Sequence, residues 1–199
     1  MLKLTKGNIV ELSIVESAFG GNGIAKIPTD KGDFILFVPN TIKGQKVSAR
    51  VVKSKKNFAE CKLVAIIIPS SDEVEIPYQA ISGSPFAKLP IELQKEQKKS
   101  QALALYQRIG KVKNLATVFD EYIESPEIWH YRNKMEYSFS AIGYDIEKNE
   151  EFDGFALGFK KRGTWWIVEN LEKDSGLFDA EFENKLKEIR QFCEATNLP

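Results

Sequence analysis

The chain has 199 residues, 43% of them apolar and 28% charged, with 28 Lys and Arg against 28 Asp and Glu. That length supports one or two domains with real cores, and the composition is globular rather than disordered or fibrous. The longest apolar run, Leu63 to Ile68, is strand-sized and far short of the roughly 18 residues of a membrane span. No apolar leader opens the chain, and the two cysteines, Cys61 and Cys193, make no disulfide framework and fit a reducing cytoplasm.

The neutral total hides an asymmetry. Residues 1–68 hold 11 Lys and Arg against 5 Asp and Glu, while the remainder holds 17 against 23. A basic module joined to an acidic one points to a polyanionic partner for the first; a lysine-rich solvated surface is the plainer alternative.

Asn8–Ser17 alternates, with Val10, Leu12 and Ile14 on one face. Phe19-Gly20-Gly21-Asn22-Gly23 is a glycine turn, where positive φ angles are needed. Further strands are expected at 23–28, 33–39, 45–54 and 59–68, with Lys31-Gly32 and Thr41-Ile42-Lys43-Gly44 as punctuation. Five short strands without a helix predict a small closed or nearly closed β-barrel of the OB type, a fold that often binds single-stranded nucleic acid. Within it, residues 50–58 (RVVKSKKNF) read as a hairpin with a basic tip. Arg50, Lys53, Lys55 and Lys56 would meet phosphates and Phe58 would stack on a base. The equal alternative is that Phe58 closes the end of the barrel and the lysines only solubilise the hairpin. Cys61 falls inside a barrel strand, where burial is expected.

After Ile68 the chain turns polar (PSSDEVE) and then irregular through Pro77, Gly83 and Pro85. This marks a boundary, giving a first domain over 1–68, a linker over 69–89 and a second module over 90–199. Pro90–Ile109 reads as a helix, opened by proline and ended by Gly110, and Asn114–Glu124 as a second short one. Tyr131–Ile142 alternates as a half-buried antiparallel strand, with Tyr131, Asn133, Met135, Tyr137 and Phe139 on one side and Arg132, Lys134 and Glu136 on the other. Asp153–Lys160 and Thr164–Leu171 form a hairpin through Lys161-Arg162-Gly163. Trp165 and Trp166 then point to opposite faces, one into the core and one available for stacking. Asp179 caps a final helix with an apolar stripe of Phe182, Leu186, Ile189 and Phe192, and with Cys193 on its apolar side. His130, the only histidine, has no Cys or Asp arranged beside it for metal or triad chemistry and is expected to pack.

The strings GNIVELSIVESAFGGNGIAKI and DFILFVPNTIKGQKVSARVVKSKKNFAECKLVAIIIPSSDEVE, in that order, resemble a TRAM domain over nearly all of residues 6–75. ISGSPFAKLPIELQKEQK resembles the CGGCPFQHLPYEEQLKIK pattern of TRAM-containing RNA uridine-C5 methyltransferases. SPEIWHYRNKMEYSFS and LGFKKRGTWWIVENLE resemble their central domain, and Tyr131-Arg132-Asn133-Lys134 is the most specific short string. The resemblance implies an OB-like five-stranded RNA-binding barrel followed by an α+β central domain with antiparallel strands, and rRNA or tRNA as partner. It also places the tetrad near RNA. On one strand face, Arg132 and Lys134 could both reach phosphates or base edges, or they form a surface ion-pair strip with Glu136. Lys160, Lys161 and Arg162 make a second basic tip, for RNA or merely solvated.

In that family four cysteines hold an iron–sulfur cluster. The matching positions here are Ile81, Ser84, a site near Tyr78, and Asp174. Such a cluster needs soft thiolates, so no cluster and no other metal are expected. The family methylates C5 of uridine by adding a cysteine thiolate to C6 and transferring the methyl of S-adenosylmethionine. No glycine-containing strand-to-helix turn, nucleophilic cysteine or cofactor site is visible, so no catalytic residue is assigned and the chain alone is expected to be inactive. The closing ATNLP stands where the family's chain runs on, which reads as a truncated piece or a split gene. A downstream or separately encoded methyltransferase domain would then cover the apolar helix end, Leu103 to Ile109. Three roles stay open: the RNA-binding portion of a methyltransferase, a free-standing RNA-binding protein, or, if RNA is not bound, a protein scaffold.

Overall fold

The structure, a computed structural model, describes residues 4–30 and 32–196. Its chain divides into two compact units, Met1–Val74 with Lys88–Tyr122, and Glu75–Ala87 with Ile123–Pro199. This corrects the expected division at two places. The segment expected as a linker supplies 75–87 to the second unit, and the helix expected in the second module groups with the first. Local bonding gives the reason: Gln101 Nε2 in the helix donates to Ser17 O at 3.1 Å, whereas Gln79 Nε2 donates to Asn170 O at 2.7 Å.

Six strands build the first unit: β1 (Ile9–Ser13), β2 (Glu16–Ala18), β3 (Asn22–Thr29), β4 (Gly32–Pro39), β5 (Lys46–Ser54) and β6 (Phe58–Ile68). Their order is β1-β5-β6-β4-β3-β2, antiparallel except for β4 with β6. The alternation seen in the sequence buries Leu12, Ile14, Ala25, Leu36, Val38, Val47, Ala49, Val51, Ala59 and Cys61 in one core. Two expectations change. The first strand is broken in two, making six strands rather than five among the described residues, and among these no β1–β2 ladder closes the sheet, which is barrel-like and open. Both follow from the bend at Ile14–Val15: Ile14 N donates to Gln45 O and Val15 N to Ile24 O, each at 2.8 Å. One segment thereby leaves β5 and joins β3. The glycine turn holds as expected, with Gly20 at φ 79° and Gly21 at φ 73°.

Helix α1 (Ile91–Arg108) follows, with Pro90 at its N-cap and none of its residues buried. The second helix, α2, is a single turn, Leu115–Val118, shorter than the expected 114–124 because Phe119 is already extended. Among the described residues no helix is long and apolar enough to cross a membrane.

In the second unit β7 (Ser138–Asp145), β8 (Glu150–Lys160) and β9 (Val168–Asn170) each pair with the other two. Helix α3 (Ala180–Ala195) is capped by Asp179, whose side chain accepts from Phe182 N at 2.8 Å. Ile81, Leu157, Leu171, Leu177 and Leu186 form the core, flanked by Met135, Tyr137, Phe159 and Ile189. Only part of the expected stripe on α3 is covered: Leu186 is buried, while Phe182 and Phe192 are exposed. The strand expected from Tyr131 begins only at Ser138. Upstream, the backbone N–H groups of His130 and Arg132 are spent on Gly176 O and Leu177 O, at 2.7 and 3.1 Å, which holds 131–137 off the sheet.

Gly158 sits where β8 meets both neighbours, opposite Ser138 and Asn170. A Cβ there would stand 2.1 Å from Glu169 O and 2.9 Å from Leu171 N. The backbone of β9 cannot step aside as a side chain would. Gly158→Ala is therefore expected to destabilise the second unit by about 3 kcal/mol or more, at the upper end of overpacking costs, read as a lowered thermal midpoint.

Candidate nucleic-acid interface

The β5–β6 hairpin carries the basic tip of the first unit. Lys55 N donates to Phe58 O at 2.8 Å and Ile35 N to Asn57 O at 3.2 Å, so the tip is hydrogen-bonded on both sides. A register shift between Val51 and Lys53 inserts an extra residue, leaving both Val52 and Lys53 exposed. Such bulges turn side chains outward and tighten the local twist. Lys55 and Lys56 are exposed, and Lys53 pairs with Glu60 at 3.3 Å. Arg50 lies exposed directly opposite Lys62. Two like charges at facing positions repel, and an anion placed over both relieves that repulsion. Phe58 is half-buried, edge-on to Phe37 at 6.0 Å.

In the second unit Tyr131, Arg132, Asn133 and Lys134 are all exposed, on an irregular segment rather than a strand. The shared strand face expected for Arg132 and Lys134 is thus corrected. Lys134 pairs with Glu136 at 2.9 Å, both highly exposed, an arrangement that contributes little stability. The Glu136 carboxyl is held below its usual range by its bond to Lys134 and that charge, with a smaller contribution from Lys160. Lys160, the first residue of the second basic tip, thus acts on the same carboxyl as the tetrad's lysine. Within that tip Lys160 and Arg162 are exposed, and Lys161 Nζ lies 2.8 Å from the Tyr144 ring centroid. Trp165 and Trp166 are both exposed, at 76% and 47%, which corrects the expectation that one enters the core; Ile167 and Val168 are buried instead.

The four positions that resemble cluster ligands fall in one corner of this unit. Gln79 N donates to Asp174 O at 2.8 Å and Ser84 N to Ile81 O at 3.1 Å. Ile81 is core. Tyr78 packs on Trp129 at 4.6 Å and edge-on to His130 at 5.3 Å. Asp174 Oδ2 is 2.9 Å from His130 Nε2, and its Oδ1 accepts from Gly176 N at 2.6 Å. His130 thus has an aspartate partner after all, from 44 residues away. A phenol, a sec-butyl side chain, a hydroxyl and an already bonded carboxylate do not fit a four-iron cluster, which needs thiolates. Of the two cysteines, Cys61 lies in the first unit's core, where burial pushes its thiol up to about 11, and Cys193 is half-buried on α3. Among the described residues no group of three or more His, Cys, Asp or Glu could hold a metal ion.

The TRAM domain family model matches residues 3–64. An uncharacterized RNA methyltransferase of Caldanaerobacter subterraneus is 33% identical over 199 residues, taking in 98% of this chain. The chain is a homologue of TRAM-containing RNA methyltransferases. An uncharacterized RNA methyltransferase of Listeria monocytogenes is 34% identical over 134 residues, which is 66% of this chain and 28% of that protein. This chain spans 41% of the length of the Caldanaerobacter relative. The crystal structure of Pyrococcus abyssi tRNA (uracil-54, C5)-methyltransferase in complex with S-adenosyl-L-homocysteine superposes with a TM-score of 0.56 at 19% identity, covering 94% of this chain and 37% of that one. That likeness is one of fold.

The TRAM match contains Arg50, Lys53, Lys55, Lys56 and Phe58, together with Lys62. Lys62 was missed in the sequence although strand alternation on β6 could have placed it outward. The outward tryptophans carried no such signal, because alternation says that two adjacent residues differ in face, not that a turn exposes both.

Proposed function

We propose that this chain is the RNA-binding portion of an S-adenosylmethionine-dependent RNA uridine-C5 methyltransferase acting on rRNA or tRNA. The observation that carries the reading is the exposed basic tip, Lys55 and Lys56 beside the facing pair Arg50 and Lys62, inside the TRAM domain of a methyltransferase homologue. The OB-like barrel surface grips phosphates, and the second unit adds Arg132, Lys134, Lys160 and Arg162. These contacts hold and orient RNA. They do not transfer a methyl group.

That step needs a thiolate nucleophile and a cofactor fold. Cys61 is a buried core thiol, and the two parallel strand pairs, β4 with β6 and β7 with β9, are joined through strands rather than helices. We assign this chain no S-adenosylmethionine site and no iron–sulfur cluster. We assign the exposed end of α1, where Tyr106 and Ile109 line a groove of about 470 Å³ with Phe19, to contact with a methyltransferase domain.

The test uses the whole 199-residue chain. Single-stranded RNA should bind in the micromolar range or weaker, with an affinity that falls steeply between 50 and 200 mM salt as counterions are released, both being on the order expected for phosphate contacts. In calorimetry S-adenosylmethionine should give no heat, and the protein should emerge colourless and iron-free from reconstitution with iron and sulfide. Absence of RNA binding at low salt sinks the reading.

A further inference from the structure

The turn between β8 and β9 presents two tryptophans that the phosphate-gripping role does not use. Their rings meet edge to face at 5.4 Å. Exposing two indoles in one turn forgoes some of the largest apolar burial a side chain can provide. The turn is nevertheless well held. Thr164 N donates to Lys161 O at 3.0 Å, Lys161 N to Ile167 O at 2.9 Å, and Gly163 takes the left-handed φ of 85°. Ser140 Oγ on β7 donates to Trp166 O at 2.6 Å, and Arg162 N donates to Ser82 Oγ at 2.8 Å. Immediately after them Ile167 and Val168 are buried, anchoring the C-terminal side. The tryptophans therefore stand on a pinned support rather than at the tip of a loose loop, and ordering them costs little at the moment of binding.

We propose that Trp165 and Trp166 form a stacking platform for the unpaired bases of single-stranded RNA, with Lys160 and Arg162 steering the adjoining phosphates. This rests on the RNA-binding reading and adds a second contact of a different physical kind. Charge decides the occupant. From Phe155 to Val168 the chain carries Lys160, Lys161 and Arg162 and no Asp or Glu. An indole flanked by cations matches a strand of alternating base and phosphate, because every base offers a π-face and every linkage a negative charge. Duplex RNA keeps its bases in the stack and offers the indoles nothing.

The experiment titrates the full chain with a single-stranded uridine-rich 12-mer and with the same sequence as a duplex, following affinity and tryptophan fluorescence. Trp165→Ala and Trp166→Ala should each weaken single-strand binding about five- to a hundredfold, the usual range for one base–aromatic stack. Phenylalanine at the same positions should restore most of the affinity. Duplex binding should not change, and the dependence on salt should keep its slope, since stacking releases no counterions. Thermal midpoints should match the parent, because both rings are already exposed. Unchanged single-strand affinity in Trp165→Ala/Trp166→Ala, while lysine variants of the hairpin weaken binding, overturns the platform and leaves the RNA-binding role intact. Loss of self-association with no effect on RNA would make the turn a protein interface and also overturn it. A parent chain that binds no RNA removes both readings together.

Discussion

Replacing Lys53, Lys55 and Lys56 together by alanine should lower RNA affinity at low salt by about ten- to a hundredfold and flatten its salt dependence. Three lost phosphate contacts on a single strand reduce the slope of log affinity against log salt by about 2, at roughly 0.7 per contact. Lys53 should contribute least, because its pairing with Glu60 must be broken before it can serve a phosphate. The substitutions fall on exposed positions at a hairpin tip whose bonds are made by backbone, so the fold should survive them. Filter binding at 50 and 200 mM salt measures both quantities. An unchanged slope would move the phosphate contacts away from the TRAM hairpin.

The second large effect concerns Glu183, which is buried on the inner side of α3. Its Oε1 accepts from Tyr137 Oη at 2.7 Å and Ser175 Oγ at 3.0 Å, and its Oε2 accepts from Ser175 N at 2.6 Å. Glu183→Ala strands three donors in a dry site and should destabilise the second unit by about 3–5 kcal/mol, the range seen when one partner of a buried charged network is removed. Glu183→Gln keeps part of the acceptor set and should cost less. Burial pushes the Glu183 carboxyl above its ordinary value of 4.5, against the pull of its donors. For an acid raised in the folded state, the stability from this group is complete below the ordinary value and is lost as pH climbs through the raised one. Glu169, also buried and also raised by burial, acts in the same direction. Wild-type stability should therefore decline from pH 4.5 upward relative to the Gln variant, read as the difference in urea midpoints. A pH-independent difference would mean that Glu183 titrates alike in the folded and unfolded chains.

Much of the barrel was legible because its information is local. Alternation along 8–17 and 45–54 marks which side chains go in, paired glycines mark the turn at 20–21, and Asp179 announces α3. The failures share one cause. Tyr131–Tyr137 alternates as well as any strand, yet its neighbour in space is the 176–177 loop, and nothing local reveals that. The same holds for His130 with Asp174, 44 residues apart, and Tyr137 with Glu183, 46 apart. A buried glutamate on a helix reads in sequence as a solvated one until its donors are known. The basic residues of the candidate interface were visible as residue types. Their grouping was not, because it depends on a bulge on β5 and on a turn held by Ser82 and Ser140.

The path of the chain between its units has a consequence for synthesis. Residues 75–87 leave the first unit and return to it, the excursion being fastened at its root by Val74 N donating to Lys88 O at 2.8 Å. Their own bonding partners lie far ahead: Gln79 reaches Asn170, 91 residues later, and Ser82 reaches Glu169, 87 residues later. A ribosome adding about 5–20 residues per second needs on the order of ten seconds to deliver those partners. Throughout that interval the six-stranded sheet can close its core, while a dangling strap carrying Tyr78 and Ile81 waits without a shelter. The nascent protein thus has a vulnerable period set by the order of its segments, and chaperones or proteases would meet it there first.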